Sequence, residues 1–309
     1  MINAKQILLV ISLISIVPFF FLGGPNFESD RSINELWNTG HIIFFALLTA
    51  GLYEYWLPEA FSILQKFFYS FLIIAVLGFG IEFLQIMVTG RSFGWDDIAR
   101  NFAGGTFSLL WCMGTNGKSV SQRAVLRSGA IALVVASCAP LWHVLADEFR
   151  ARREFPVLSG FERKAELGRW RGKGRLRLVT DPVRQGMYAG ELLLGYGKHN
   201  GIWLFYCPND WRGSKALTFS VNNPGSPFEL HFRILDYSRI GKREKDHHQY
   251  NDSTILITGW NDIVIPSKLM ENQLVGEEVD LANIWAFGVF YLEPQENKTL
   301  YLDDVRLLY

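Results

Sequence analysis

The sequence predicts a mixed fold in two parts. An all-α transmembrane bundle of about five spans covers residues 1–147, a connector covers 148–160, and an all-β sandwich covers 161–309. Three observations predict this. Long apolar runs crowd the first half, although mean hydropathy over the whole chain is only +0.12. The second half instead alternates polar and apolar residues between Gly, Pro and Asn turns, the signature of short strands. And 309 residues suffice for two domains.

Crossing the hydrocarbon core takes roughly 20 mainly apolar residues. Five segments reach or approach that length: 7–22, 41–57, 67–88, 98–113 and 125–146. The first follows Lys5 as a signal peptide would, but Gly23-Gly24-Pro25 offers no small-x-small cleavage site, so it reads as an uncleaved span. With the N-terminus inside, Lys5, Lys66, Lys118, Arg123 and Arg127 mark the inner ends. Outer Arg31 and Arg91 sit among Glu28, Asp30, Glu35, Asp96 and Asp97. This positive-inside bias favours N-in, and five spans then export the C-terminal part. Arg150, Arg152 and Arg153 weigh the other way.

Between the third and fourth segments the chain reads GIEFLQIMVTGRSFGWDDIARNFAGG (80–105). Glu82 and Gln85, three apart, share a helix face, as do Asp97, Asn101 and Gly104 at spacings of four and three. A charge inside a span costs about 2.5–3.5 kcal/mol on insertion scales, so Glu82 is expected to be neutral or paired. Arg91 is the first cationic partner in sequence and Arg100 the second. Gly78, Gly80, Gly104 and Gly105 would let the two helices approach closely. His41, opening the second segment on the same outer side, joins the set. Two readings follow: a polar network that locks a helix hairpin, or a site for a polar head group or a proton.

The pattern Glu82-x-x-Gln85, Arg91, Asp97, Asn101, Gly104, preceded by the histidine-aromatic run HIIFFALL (41–48), resembles the signature of VanZ-like membrane proteins over about residues 1–115. Trp37 and Asn38 stand where that family often carries an Asp-Lys pair. The resemblance implies a multi-pass protein of the bacterial cytoplasmic (inner) membrane, connected with glycopeptide-antibiotic resistance or cell-surface glycans. The exported part would then be periplasmic or extracellular.

From residue 161, nine strands are predicted at 174–180, 191–196, 201–206, 215–222, 228–235, 253–258, 261–266, 284–292 and 298–308, with one helical stretch at 266–274. Such regular spacing predicts a sandwich. The order of features, from the opening GFE through NDWRG and GWNDIVIP to the closing LYLDDVRLLY, resembles jelly-roll carbohydrate-binding modules of the galactose-binding-like type. That resemblance implies a structural calcium held by Glu162 with Asp303 or Asp304, hard oxygen ligands suited to the ion. Sugar binding needs displayed aromatic rings. Trp211 in a turn, and Tyr237 and Tyr250 flanking the hydrophilic stretch 236–252, are the candidates, whereas Trp203 and Trp285 lie in apolar strands and read as core. The adjacent His247 and His248 read as solvated loop residues, and Cys207 as a small core residue.

Thirty basic against thirty acidic residues leave no cationic footprint for nucleic acid. Three scattered cysteines form neither a disulfide framework nor a zinc spacing. G-x-S-x-G, H-E-x-x-H and P-loop motifs are absent. The expected partners are therefore the lipid bilayer and an envelope glycan or lipid-linked saccharide. Two alternatives stay open: an enzyme acting on a lipid-linked sugar or polyprenyl phosphate, and a scaffold that docks a partner protein.

Overall fold

The computed structural model describes residues 3–22, 24, 29–88, 93–115, 119–195, 200–237, 249–271, 279–292 and 296–309. The chain divides into two compact units, Met1–Val144 and Leu145–Tyr309.

The first unit is helical: α1 (Ala4–Phe21), α2 (Arg31–Gly51) running on into a π-helical turn (Leu52–Trp56), α3 (Ile63–Gln85), α4 (Trp95–Thr115) and α5 (Val120–Ser137). α6 (Ala139–Glu154) follows, and its last turns belong to the second unit. The helix starts are locally encoded. Asn3 and Gln6 exchange backbone-to-side-chain hydrogen bonds of 2.9 Å across the first turn of α1, and Ser62 and Gln65 do the same at α3.

Among the described residues, three helical stretches can cross a membrane by length and composition: α1, α2 with its π turn, and α3. The pair α5 and α6, bent by 53°, makes a fourth only if counted as one span. The expected fifth segment, 125–146, is thus broken at Cys138. α4 is long enough, but Asp96, Asp97, Arg100 and Asn101 fill its first turns. Large apolar side chains such as Leu8, Ile14, Phe68, Val76 and Phe83 point outward from α1 and α3, the arrangement that suits a lipid solvent.

α2 and α4 pack most closely at Gly104, where a Cβ would lie 2.2 Å from the Ile42 carbonyl oxygen. The expected α3–α4 contact is made in part: a Cβ at Gly105 would lie 2.2 Å from Ile74 Cδ1 of α3, whereas Gly104 seats α4 on α2 and a Cβ at Gly80 would meet nothing within 4 Å. Gly78 does serve the α3–α4 contact, because a Cβ there would lie 2.8 Å from Asn101 Nδ2.

The second unit is a sandwich of two antiparallel sheets. Its strands are β1 (Val157–Ser159), β2 (Trp170–Gly172), β3 (Arg175–Val179), β4 (Ala189–Leu194), β5 (Asn200–Leu204), β6 (Ala216–Asn223), β7 (Phe228–Asp236), β8 (Gln249–Leu256), β9 (Gly259–Pro266), β10 (Ile284–Tyr291) and β11 (Lys298–Leu308), with α7 (Ser267–Glu271) after β9. One sheet runs β3-β4-β11-β6-β9 with β1 added beside β11, and the other runs β2-β5-β10-β7-β8. Alternate residues face inward, so Leu192, Leu194, Phe219 and Val221 from one sheet meet Ile202, Leu204, Ile234, Phe287 and Val289 from the other in one core.

Residues 148–160, expected as a short linker or the end of a juxtamembrane helix, are the end of α6 followed by β1. A buried ion pair fixes this corner. Arg169 donates from Nε and Nη2 to the two Asp147 oxygens at 3.0 and 2.7 Å and from Nη1 to the Leu158 carbonyl at 2.9 Å, with both side chains 1% exposed.

Candidate functional site

In the helical unit the predicted polar residues converge. Glu82 is fully buried on the inner face of α3, and its Oε2 accepts the Gly94 N–H at 2.8 Å. Gln85, one turn on, donates to the Phe20 carbonyl of α1 at 2.9 Å. From α2, His41 turns towards α4. Its Nδ1 lies 2.8 Å from Asn101 Oδ1 and its Nε2 3.9 Å from Asp97 Oδ2, and the Phe20 ring meets it edge-on at 4.7 Å. Asp97, Asn101 and Gly104 share the α4 face that meets α2, as their spacing predicts. Ligating atoms of His41, Glu82 and Asp97 all lie within 4.8 Å of one another.

Arg100 differs from its expected place. It pairs with Asp97 at 2.6 Å and with Glu35 at 3.1 Å, taking Asp97 Oδ1 and leaving Oδ2 turned towards His41. Arg91, the other expected cation, lies outside the described residues. Beside the cluster opens a cavity of about 380 Å³. Ile16, Phe19, Ile33 and Trp37 supply apolar walls, and His41 and Asp97 supply its polar end.

In the sandwich the aromatic candidates fall differently. Trp211 is fully buried in the core, its indole N–H donating to the Pro208 carbonyl at 2.9 Å. Tyr250 is 4% exposed, its hydroxyl bonded to Asp252 at 2.7 Å, and burial pushes its phenol above the ordinary value. Both rings turn into the core, so both drop out as sugar platforms. The turn around Trp211 and the charged neighbourhood of Tyr250 suggest exposure that packing removes. Tyr237 is half-buried and its backbone N–H donates to Asn283 at 2.9 Å. Residues 238–248, including His247 and His248, lie outside the described residues. Cys207 packs against the core, and burial pushes its thiol up to about 12, an inert thiol as expected.

Sequence reasoning missed the displayed aromatics. Phe287, Leu204 and Ile234 pair side by side and face the core, so their chain neighbours face out. One outward row runs across all five strands of the second sheet: Arg171, Trp203, Gly288, Arg233, Asn251. A second holds Gly201, Phe290, His231 and Ser253. Gly288 makes room for the Trp203 ring, since a Cβ there would come within 2.4 Å of it. Trp203 stacks on Phe290 at 6.1 Å and 13°, and His231 stacks on Phe290 from the other side at 5.7 Å and 20°. The Arg233 guanidinium lies 5.4 Å over the same ring and donates to Asn251. Glu229 accepts from Ser253 at 2.6 Å along one margin. The result is a flat aromatic strip with polar side chains at its edges. Phe290 is its centre, and Trp203, expected in the core, stands at one end.

The predicted calcium ligands line one hollow of about 270 Å³ at an end of the sandwich. Glu162 accepts the Met187 N–H at 3.0 Å. Asp303 Oδ2 accepts the N–H groups of Arg184 and Gln185 at 2.8 and 3.0 Å, and its Oδ1 accepts that of Asp304 at 2.7 Å. Asp304 sits at φ +52 and pairs with Arg306. These oxygens tie the 184–188 loop to the first and last segments of the unit, and each carboxylate retains lone-pair capacity for a cation.

No protein-family model matches this chain, and neither does any curated protein. The family likeness of residues 1–115 therefore stands on the residue pattern alone. Among solved structures, the family 11 carbohydrate-binding module from Clostridium thermocellum in complex with a beta-1,3-1,4-mixed-linked tetrasaccharide is similar at 20% identity. The match covers 49% of this chain and 94% of that one, with a TM-score of 0.39. The CBM22-2 xylan-binding domain from Paenibacillus barcinonensis Xyn10C is similar at 14% identity, over 50% and 98% of the two chains, with a TM-score of 0.36. An exo-beta-agarase is similar at 13% identity, over 49% of this chain and 24% of that one, with a TM-score of 0.40.

Proposed function

We propose that this is a multi-pass protein of the bacterial inner membrane whose exported sandwich binds an envelope glycan on the outward face of the β2-β5-β10-β7-β8 sheet. The observation that carries the reading is the Trp203–Phe290–His231 strip. Sugar rings present C–H faces that stack on aromatic planes and hydroxyls that take hydrogen bonds at the rim, and here Arg171, Arg233, Asn251, Ser253 and Glu229 supply the rim. The role in surface-polysaccharide biology or glycopeptide-antibiotic resistance follows from the VanZ-like resemblance. The test is binding of the full-length chain, in detergent, to a panel of envelope polysaccharides. Trp203→Ala should weaken capture about tenfold, equivalent to about 1.4 kcal/mol, while Tyr250→Phe leaves it unchanged. Undiminished capture by the Trp203 variant would sink the reading.

The helical unit supports a second, compatible role, favoured by the apolar cavity that ends on His41 and Asp97. That shape takes an amphipathic ligand, with the lipid chain against Phe19 and Trp37 and a polar head at the cluster, as a lipid-linked saccharide would present. Competition by a short-chain polyprenyl phosphate for a fluorescent lipid, lost in His41→Ala, is the measurement that decides it.

A further inference from the structure

The polar cluster of the helical unit has the geometry of a metal centre. His41 comes from α2, Glu82 from α3 and Asp97 from α4, so three helices each deliver one ligand to one point. In a tetrahedral zinc site, with bonds of about 2.0–2.2 Å, neighbouring ligand atoms stand about 3.3 Å apart. His41 Nε2 and Asp97 Oδ2 are 3.9 Å apart, and every pair among the three residues is within 4.8 Å. Small side-chain movements would complete the coordination.

The surroundings orient the ligands as an outer shell does. Asn101, fully buried, holds His41 Nδ1 at 2.8 Å through its amide oxygen, an acceptor. Nε2 is then the ring atom on the Asp97 side, 3.9 Å from Oδ2. Arg100 binds Asp97 Oδ1 and fixes the carboxylate so that Oδ2 faces the centre. The Gly94 N–H does the same for Glu82 through Oε2. His41 and Asp97 also border the apolar cavity, so a fourth position opens towards whatever occupies it.

We propose that His41, Glu82 and Asp97 bind one divalent transition-metal ion of the zinc type, with Asn101 as the residue that positions the imidazole and the fourth site open to a water or phosphate-type oxygen. One imidazole and two carboxylates suit such an ion. The proposal is independent of glycan binding by the sandwich.

The test uses the full-length chain in detergent, stripped with chelator and titrated with Co²⁺, whose ligand-field absorption reports protein coordination. The expected result is one ion per chain with a visible spectrum. That spectrum should be lost in His41→Gln and Glu82→Gln, and affinity should fall by about 10–100-fold in Asn101→Ala, with helical content and elution volume unchanged. Absence of bound ion in the unaltered chain overturns the proposal. So does an identical spectrum in His41→Gln, which would assign the ion to an adventitious site. Should the Glu82 variant fail to accumulate, Asp97→Asn carries the same test from a partly exposed position.

Discussion

The two units turn their side chains in opposite senses. In the helical unit apolar residues cover the outside while Glu82, Gln85, His41 and Asn101 are buried between helices. In the sandwich apolar residues fill the middle, and the polar side chains of β7 (Glu229, His231, Arg233) face out. Each unit has an exception, and the exception is its candidate site. Burying polar groups in a membrane unit is costly unless they are bonded or serve a ligand. A Trp–Phe–His stack on the outward face of a sheet puts apolar rings on the side away from the core, the arrangement of a binding surface. Both proposed sites lie where the local solvent rule is broken, and the physical cost of the breach is what the proposed ligand would relieve: a cation in one, a sugar face in the other.

The sandwich also buries polar groups, among them the Arg169–Asp147 pair, and removing that pair is the largest break to this contrast. Asp147→Ala leaves a guanidinium 1% exposed with no carboxylate opposite. Losing one partner of a buried pair costs about 3–5 kcal/mol. Denaturant unfolding followed by tryptophan fluorescence should show that loss in the sandwich transition, and a change under about 1 kcal/mol would mean the corner is held by β1 pairing alone.

The helical unit is sharpened by a smaller change. Gly104→Ala puts a methyl group 2.2 Å from the Ile42 carbonyl oxygen, a backbone atom that no rotamer change can move. Overpacking of this kind costs about 1–3 kcal/mol. Because α4 would be displaced from α2, His41 and Asn101 would also separate, so the variant should lose Co²⁺ binding along with stability to detergent unfolding. Gly80→Ala, with nothing within 4 Å of its added Cβ, should change neither.

How far the sequence told this in advance follows from what each pattern can encode. Helix spacing alone placed Glu82 with Gln85 and Asp97 with Asn101, because i+3 and i+4 fix a face. It could not show that Gly104 faces α2, since a small residue marks close approach without naming the neighbour. The apolar run 125–146 hides its break at Cys138 because both halves are apolar. Nine predicted strands match β3 to β11. β1 and β2 have three residues each, too short for alternation to register. Trp203 was misplaced because β5 is apolar on both faces, one for the core and one for the strip, and period two cannot say which is which. The signal lay in β7, two strands away, where Glu229, His231 and Arg233 alternate with Leu230, Phe232 and Ile234 and so mark the outward side.

The smallest effects concern the carboxylates that hold the loop ends of the sandwich, and they separate two ways of tying a loop. Asp262 is held below the ordinary carboxylate value by the Ser220 hydroxyl at 2.7 Å and by Arg184. Its contribution is present above the unfolded pKa near about 4 and is lost as pH falls through the lowered value. It is exposed enough that screening keeps it under about 1 kcal/mol. Asp303 is pushed the other way by burial, despite its three backbone N–H donors. Its contribution is present below about 4 and is lost as pH rises through the raised value. A calcium ion, which we propose at Glu162, Asp303 and Asp304, binds the charged forms and would remove that loss. Melting temperature measured between about pH 3 and pH 7 in chelator should therefore change little, as the two carboxylates oppose each other. Added calcium should raise it, and only at the upper end of that range. A calcium-independent curve would assign the three carboxylates to holding the 184–188 loop by N–H donors alone.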